Sequence, residues 1–141
     1  MNARFENKNT FYISGYAVET SEATLAQDCA KLRAQYEDTL RTISNHLYFL
    51  SYASAEGGMI YLLGVEAESH APATDGATCH EVPATRFAIA IVPKDAPILA
   101  TWHDFFEKGI PALGATIDMG YQYYLESFDP SGNCELWIPV E

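Results

Sequence analysis

An order of secondary-structure elements that occurs twice, with matching places about 73 residues apart, limits most strongly how this chain can fold. Each half contains a β-rich segment, then a helical pattern, then two β-rich segments joined by a turn. The predicted strands are 11–18, 47–53 and 59–68 in the first half, and 84–92, 119–128 and 134–140 in the second. This order predicts an α+β fold in which two strand–helix–strand–strand modules, related by a pseudo-twofold axis, form one antiparallel sheet with both helices on one face.

The helices and turns are predicted from spacing and composition. Apolar residues at steps of three and four positions run from Leu25 to Leu40 and again from Ile98 to Phe106, which is typical of helices with one buried stripe. Gly109 followed by Pro111 predicts the end of the second helix. Turns are expected at 56–58 and 129–132, and 70–78 is predicted to link modules at about 10–69 and 82–141 of a single domain.

Charge and composition exclude several classes of function. The 141 residues carry a formal net charge of −11, which disfavours binding to nucleic acid or to an anionic membrane surface. The polar N-terminus resembles no secretory signal, and no apolar run is long enough to span a bilayer. Three cysteines without close spacing favour reduced thiols, so we expect a cytoplasmic protein.

Motifs for common enzyme chemistry are missing. The sequence has no Gly-x-Ser-x-Gly, no Walker phosphate loop and no Gly-x-Gly-x-x-Gly fingerprint. The four histidines are scattered, and the adjacent pair Cys79 and His80 would point to opposite faces of a strand. We therefore expect no metal site and no cofactor, and each cysteine is interpreted as a small buried apolar residue.

The most distinctive segment combines aromatic rings with one carboxylate. In a strand over 121–128, one face presents Tyr124, Glu126 and Phe128, and the other presents Tyr121 and Tyr123. A carboxylate flanked by rings is costly to bury without a partner. Glu126 is either paired with a basic residue or placed in a cavity that receives a cation. Of the basic residues, only Arg86 and Lys94 are expected near the central strands.

Two further residues allow two interpretations each. Trp102 on a helical stripe is either a core residue or the wall of a ligand site, since indole offers a stacking face and one N–H donor. Glu66 is either an exposed carboxylate on a strand or part of a pocket.

Five segments together resemble a known family. They are Tyr124-Leu-Glu-Ser-Phe-Asp-Pro130 with Glu135-Leu-Trp-Ile-Pro-Val140, Gly15-Tyr-Ala-Val18, Tyr61-Leu-Leu-Gly-Val-Glu66, Val82-Pro-Ala-Thr-Arg-Phe-Ala88 and Trp102-His-Asp-Phe-Phe106. In this order they are similar to GyrI-like small-molecule-binding domains, the effector-binding domains of AraC-type and MerR-type transcription regulators. The chain departs from the family pattern at Asp28-Cys29, where an aromatic residue is usual, and at Thr85, where glycine is usual.

The resemblance implies a ligand cleft between the modules that takes lipophilic, cationic, aromatic molecules. It places the family's late glutamate on Glu126 and its helix tryptophan on Trp102. The residues expected to bind ligand are Glu126, Trp102, Tyr124, Phe128, Glu66, Tyr61, Tyr16 and Phe105. No DNA-binding module is recognised, so a stand-alone form is expected.

The sequence leaves the function open between classes. The favoured interpretation is a binding module for a cationic aromatic molecule, without direct contact to nucleic acid or membrane. The alternative is a hydrolase that uses Glu126 as general base on electrophilic small molecules. A protein-inhibitor role, implied by the gyrase-inhibitor name of the family, lacks a dense acidic run. Exposed strand edges at Phe11 or Cys134 would permit a homodimer.

Overall fold

The structure is a computed structural model that describes residues 1–69, 72 and 75–141. Within these residues, one antiparallel sheet has the strand order β1-β6-β8-β7-β3-β4-β2-β5. The elements are β1 (Ala3–Lys8), β2 (Phe11–Thr20), α1 (Leu25–Arg41), β3 (Leu47–Ala53), β4 (Met59–Ala67), β5 (Thr78–Val82), β6 (Thr85–Ile91), α2 (Ile98–Asp104), β7 (Tyr124–Phe128) and β8 (Cys134–Val140).

The element order confirms the predicted fold class. The first module is β2-α1-β3-β4 and the second is β6-α2-β7-β8. The two modules meet at the centre of the sheet, where β3 and β7 pair antiparallel with Leu47 opposite Phe128. This pairing places equivalent strands of the two modules side by side.

The sheet curls because its two ends are joined through short links. The β1–β6 and β2–β5 ladders share one register, in which partner residue numbers add up to 93. The links 9–10 and 83–84 interrupt this ladder, and the Ala84 N–H donates to Thr10 Oγ1 at 3.1 Å. On a flat sheet, six strand spacings would separate β1 from β2 by about 29 Å. The chain from Lys8 to Phe11 spans at most about 11 Å, so the sheet has to bend.

The curl produces an inner face that carries one continuous core. Its side chains come from seven strands, and Phe11 of β2 contacts Trp137 of β8 with ring centroids 6.2 Å apart. The buried members of this core are Ile13, Tyr48, Leu50, Leu62, Val82, Phe87, Ile89, Tyr123, Leu125 and Trp137.

The opposite face, here called the helix face, carries two separate clusters. One lies under α1 and includes Leu32, Leu40 and Phe49. The other lies under α2 and includes Phe105 and Leu136. Both helices therefore cover the same face, as predicted, with one module under each.

The predicted stop of the second helix at Gly109 and Pro111 is wrong. The chain continues from α2 through a π-helical turn, Phe105–Gly109, into a short α3, Ile110–Ala112. Proline lacks an N–H and its ring crowds the preceding turn, which a wider π turn accommodates. Gly109 is needed for close packing, because a Cβ there would lie 2.7 Å from the Phe105 ring.

Other predictions about strands need correction. Two strands, β1 and β5, were not predicted, and the predicted strand 119–128 begins only at Tyr124, where pairing with β3 starts. Part of the predicted link 70–78 lies outside the described residues, and its end belongs to β5. Phe11 and Cys134 do not start exposed edges, since β2 and β8 are each paired on both sides.

In the described part of the chain, the helices are too short or too polar to cross a bilayer.

Candidate functional site

A cavity of about 490 Å³ lies on the helix face between the two modules. The start of α1, the β3–β4 hairpin, α2 and β7 each contribute to its wall. Its lining residues are Glu22, Leu25, Ser51, Met59, Tyr61, Leu99, Trp102, His103, Phe106 and Tyr124. Aromatic and aliphatic side chains dominate this lining, as is usual for small-molecule sites.

Glu126 lies in β7 directly behind this aromatic wall. Alternation along the strand turns its side chain to the helix face, like that of Tyr124, while Tyr123 and Leu125 enter the inner core. The residue is only 8% exposed, and the Trp102 Nε1–H donates to Glu126 Oε2 at 2.7 Å. The indole that lines the cavity therefore also holds the carboxylate.

Burial raises the pKa of Glu126 above its ordinary value, because the charged form loses its hydration. The hydrogen bond from Trp102 and the positive charge of Arg33 act in the opposite direction, since both favour the ionised form. Among the described residues, no Lys or Arg nitrogen lies within 4.0 Å of the Glu126 carboxylate. The carboxylate is thus buried without a direct ion pair.

Arg33 is a basic residue whose position the sequence analysis missed. Its guanidinium carbon lies 5.0 Å from the Phe49 ring centre and 4.6 Å from the Phe128 ring centre. Both rings flank Glu126, so the expectation that only Arg86 and Lys94 would be near the central strands is wrong. Arg33 follows Cys29 by four positions on α1, and this spacing was the signal for an inward-facing side chain.

The structure brings part of the predicted site together. Tyr61, Trp102 and Tyr124 line the cavity, with Glu126 behind them. Phe128 lies on the same face next to Glu126, but the Arg33 guanidinium lies against its ring.

Three predicted residues lie elsewhere. Glu66 is exposed and alternates away from Tyr61 and Val65, so its side chain is on the opposite side of the sheet. Phe105 is fully buried in the core under α2. Tyr16 stacks on Tyr36 with ring centres 3.8 Å apart and is not part of the cavity lining.

Several lining residues were not predicted as site residues. Leu25, Met59, Leu99 and Phe106 are apolar, and in sequence they resemble ordinary core positions. A signal existed for Phe106, which is four residues after Trp102 and stacks on it with ring centres 5.8 Å apart. Glu22, just before α1, adds an exposed carboxylate at the rim.

A second cavity of about 480 Å³ is found beside β5 and residues 120–123. Its lining includes His80, Tyr121 and Tyr123, and the Tyr52 hydroxyl and His80 Nε2 are 2.9 Å apart. Among the described residues, Glu126 is the one buried carboxylate, and it lies behind the Trp102 wall of the first cavity. No three His, Cys, Asp or Glu side chains of the described residues form a group that could hold a metal ion.

Several solved structures of other proteins share this fold. The structure of SAV2435 bound to tetraphenylphosphonium is 12% identical, with a TM-score of 0.74 over 100% of this chain and 94% of that chain. An integron cassette protein of Vibrio cholerae is 14% identical, with a TM-score of 0.72 over 99% and 95% of the two chains. A hydrolase from Listeria innocua is 8% identical, with a TM-score of 0.63 over 99% and 91%. No curated protein matches the sequence.

A family model gives the assignment that these distant structures alone do not. The model is described as Cass2, an integron-associated effector-binding protein, and it matches residues 4–140. The predicted resemblance to GyrI-like effector-binding domains is confirmed by this match and by the shared fold. Because the match covers nearly every residue, the chain belongs to the Cass2 family of integron-associated effector-binding proteins.

Proposed function

We propose that this protein binds small, lipophilic, aromatic cations in the cavity between its modules. The observation that carries the proposal is the buried Glu126 carboxylate, held by the same Trp102 indole that forms the cavity wall. Rings supply apolar burial and attract cations through their negative faces, while the carboxylate supplies charge.

The ligand class follows from the lining. Tyr61, Trp102, Phe106 and Tyr124 offer flat aromatic surface, and Leu99 adds exposed aliphatic surface, being 56% exposed. The similar fold of SAV2435 was solved with tetraphenylphosphonium, an aromatic cation, which supports this class as the first to test.

The charge of Glu126 is large enough to select cations. A cation resting against the cavity side of Trp102 would lie roughly 7 Å from the carboxylate, where an effective dielectric of 20 gives an attraction of about 2.4 kcal/mol. This attraction corresponds to about 50-fold in affinity. Together with apolar burial, micromolar binding (about −8 kcal/mol) is expected.

The test compares two ions of the same shape. Tetraphenylphosphonium and tetraphenylborate differ in the sign of their charge, so their affinity ratio isolates the electrostatic contribution. We expect wild type to prefer the cation and Glu126→Gln to weaken cation binding at least tenfold at pH 8, measured by calorimetry. Binding of the anion should not weaken.

The matched control is Glu66→Gln, which removes the same charge from an exposed position on the other side of the sheet. It should leave both affinities within about twofold. If Glu126→Gln and Glu66→Gln behave alike, or if cation and anion bind equally to wild type, then Glu126 is not the basis of selectivity and the proposal is wrong.

A hydrolase is the second candidate, favoured by the burial that raises the pKa of Glu126 towards the range of a general base. The fold similarity to a hydrolase from Listeria innocua is consistent with it. Incubation with a cyclopropane-bearing alkylator should then give ring-opened product, and Glu126→Gln should abolish it. Unchanged alkylator would exclude this activity for that substrate class.

A further inference from the structure

Arg33 places a positive charge close to Glu126, the carboxylate that the proposed function uses to attract a bound cation. Its guanidinium lies over the rings of Phe49 and Phe128, at 5.0 and 4.6 Å from their centres. A cation on aromatic rings beside a buried carboxylate is the same set of contacts that the proposed function assigns to the ligand.

The two rings locate the guanidinium relative to the carboxylate. Phe49 pairs directly with Glu126 across the β3–β7 ladder, and Phe128 is two residues along β7 on the same face. Side chains of paired residues start about 5 Å apart. Arg33 therefore approaches Glu126 from the α1 side, whereas the indole of Trp102 separates Glu126 from the cavity.

Arg33 is only partly neutralised by its own helix. Its Nη1 lies 2.7 Å from Glu37 Oε1, and the same oxygen is 3.4 Å from Arg41 Nη2. Two guanidinium groups thus share one carboxylate, which leaves part of the Arg33 charge to act on Glu126.

We propose that Arg33 is the resident counter-cation of Glu126 and lowers the affinity of the cavity for cationic ligands by competing with them for this carboxylate. The proposal rests on the function proposed above, because it concerns the same site. In the empty protein, the positive charge of Arg33 favours the ionised form of Glu126. Glu126 then attracts a ligand cation less strongly, because the charge of Arg33 partly cancels the electrostatic field of the carboxylate.

Few other groups near the carboxylate carry charge. The titratable groups that act on Glu126 or line its cavity are Cys29 and Arg33 of α1, Tyr61 of β4, Tyr124 of β7, Cys134 of β8, and the exposed Glu22 and His103. Burial raises the pKa of Cys29 to about 11 and that of Cys134 to about 12, and it raises the pKa of Tyr61 and of Tyr124 as well. The two thiols and the two phenols are neutral at pH 8, and the two rim residues are screened by water.

The experiment compares Arg33→Met with Arg41→Met. Both variants remove one positive charge from α1 and one contact to Glu37, but only Arg33 lies on the rings beside Glu126. At pH 8 we expect Arg33→Met to bind tetraphenylphosphonium about three- to tenfold more tightly than wild type. Arg33→Lys, which keeps the charge, and Arg41→Met should stay within about twofold of wild type.

A ligand-free measurement keeps this inference separate from the proposed function. Carbon-detected NMR titration of the Glu126 carboxyl should give a pKa about one unit higher in Arg33→Met than in wild type. Absence of tetraphenylphosphonium binding to wild type would refute the proposed function and the competition together. The titration would still decide whether Arg33 is the counter-cation. An unchanged titration, or equal effects of Arg33→Met and Arg41→Met on binding, would overturn the inference.

Discussion

Phe87 on the inner face and Phe106 on the helix face show how differently the two sides of this sheet use aromatic rings. Phe87 is completely buried, and its ring centre lies 5.4 Å from that of Trp137 and 5.8 Å from that of Tyr121. Phe106 is 39% exposed and stacks on Trp102 at the wall of the cavity. On the inner face the aromatic rings fill the core, whereas on the helix face they line the cavity.

The difference arises from how the modules meet. On the inner face the curl joins both modules into one core, while on the helix face each helix covers mainly its own module. The cavity lies between the start of α1 and α2, and Glu126 lies behind its aromatic wall. Alternation along the same strands thus separates the residues that fill the core from those that line the cavity.

The largest expected effect tests, with one pair of substitutions, whether inner-face rings contribute more to stability than the rings that line the cavity. Phe87→Ala should lower the free energy of unfolding by about 3–5 kcal/mol, because it leaves a cavity in a close-packed core. Phe106→Ala should cost less than about 1.5 kcal/mol, since its ring is partly solvated, but should weaken tetraphenylphosphonium binding. Urea unfolding measures the free energy of unfolding of both variants. Equal decreases would contradict the different roles of the two faces.

A second pair of substitutions concerns the two tryptophans. Trp102→Phe removes the N–H donor of the buried Glu126 carboxylate. We expect it to lower the free energy of unfolding by about 1–3 kcal/mol at pH 8. The decrease should be smaller at pH 5, where the carboxyl is more protonated. Trp137→Phe removes an indole from the inner face, where its N–H lies 3.4 Å from Glu135 Oε1. Its cost should be independent of pH between these values. Urea unfolding at both pH values measures the two costs, and a pH-independent cost for Trp102→Phe would argue against an ionised Glu126.

A smaller effect follows from the raised pKa of Glu126. An acid with a higher pKa in the folded than in the unfolded protein stabilises the fold at low pH, and this contribution is lost as pH rises through the folded value. Glu126→Gln should therefore melt about 2–4 °C above wild type at pH 8, a shift that corresponds to about 1 kcal/mol at this chain length. The two proteins should converge near pH 4. A lower melting temperature for Glu126→Gln at pH 8 would mean that the charge is stabilised.

The smallest effect is expected at the exposed carboxylate on the other side of the sheet. Glu66→Gln should change the free energy of unfolding by less than about 0.5 kcal/mol at any pH, because water already solvates this side chain. Thermal melting across the same pH range as for Glu126→Gln provides the comparison. A change as large as that of Glu126→Gln would show that burial is not what distinguishes the two carboxylates.

Much of the site could be predicted because it depends on local periodicity. Alternation in 121–128 correctly separated Tyr124 and Glu126 from Tyr123 and Leu125, and the helical stripe contained Trp102. Glu66 could not be assigned in the same way. Whether a strand residue faces the core or the cavity depends on which face the helices cover, and no local pattern specifies this.

The sequence by itself determined the element order within each module, the α+β class and the position of a carboxylate between aromatic residues, because these follow from spacings of two and of three to four residues. Only the tertiary structure decided that β1 and β5 complete the curled sheet and that Arg33 lies beside Glu126. It also decided that the indole of Trp102 joins Glu126 to the cavity. These features depend on contacts between residues 24 to 95 positions apart in sequence, and a local periodic pattern carries no information about such contacts.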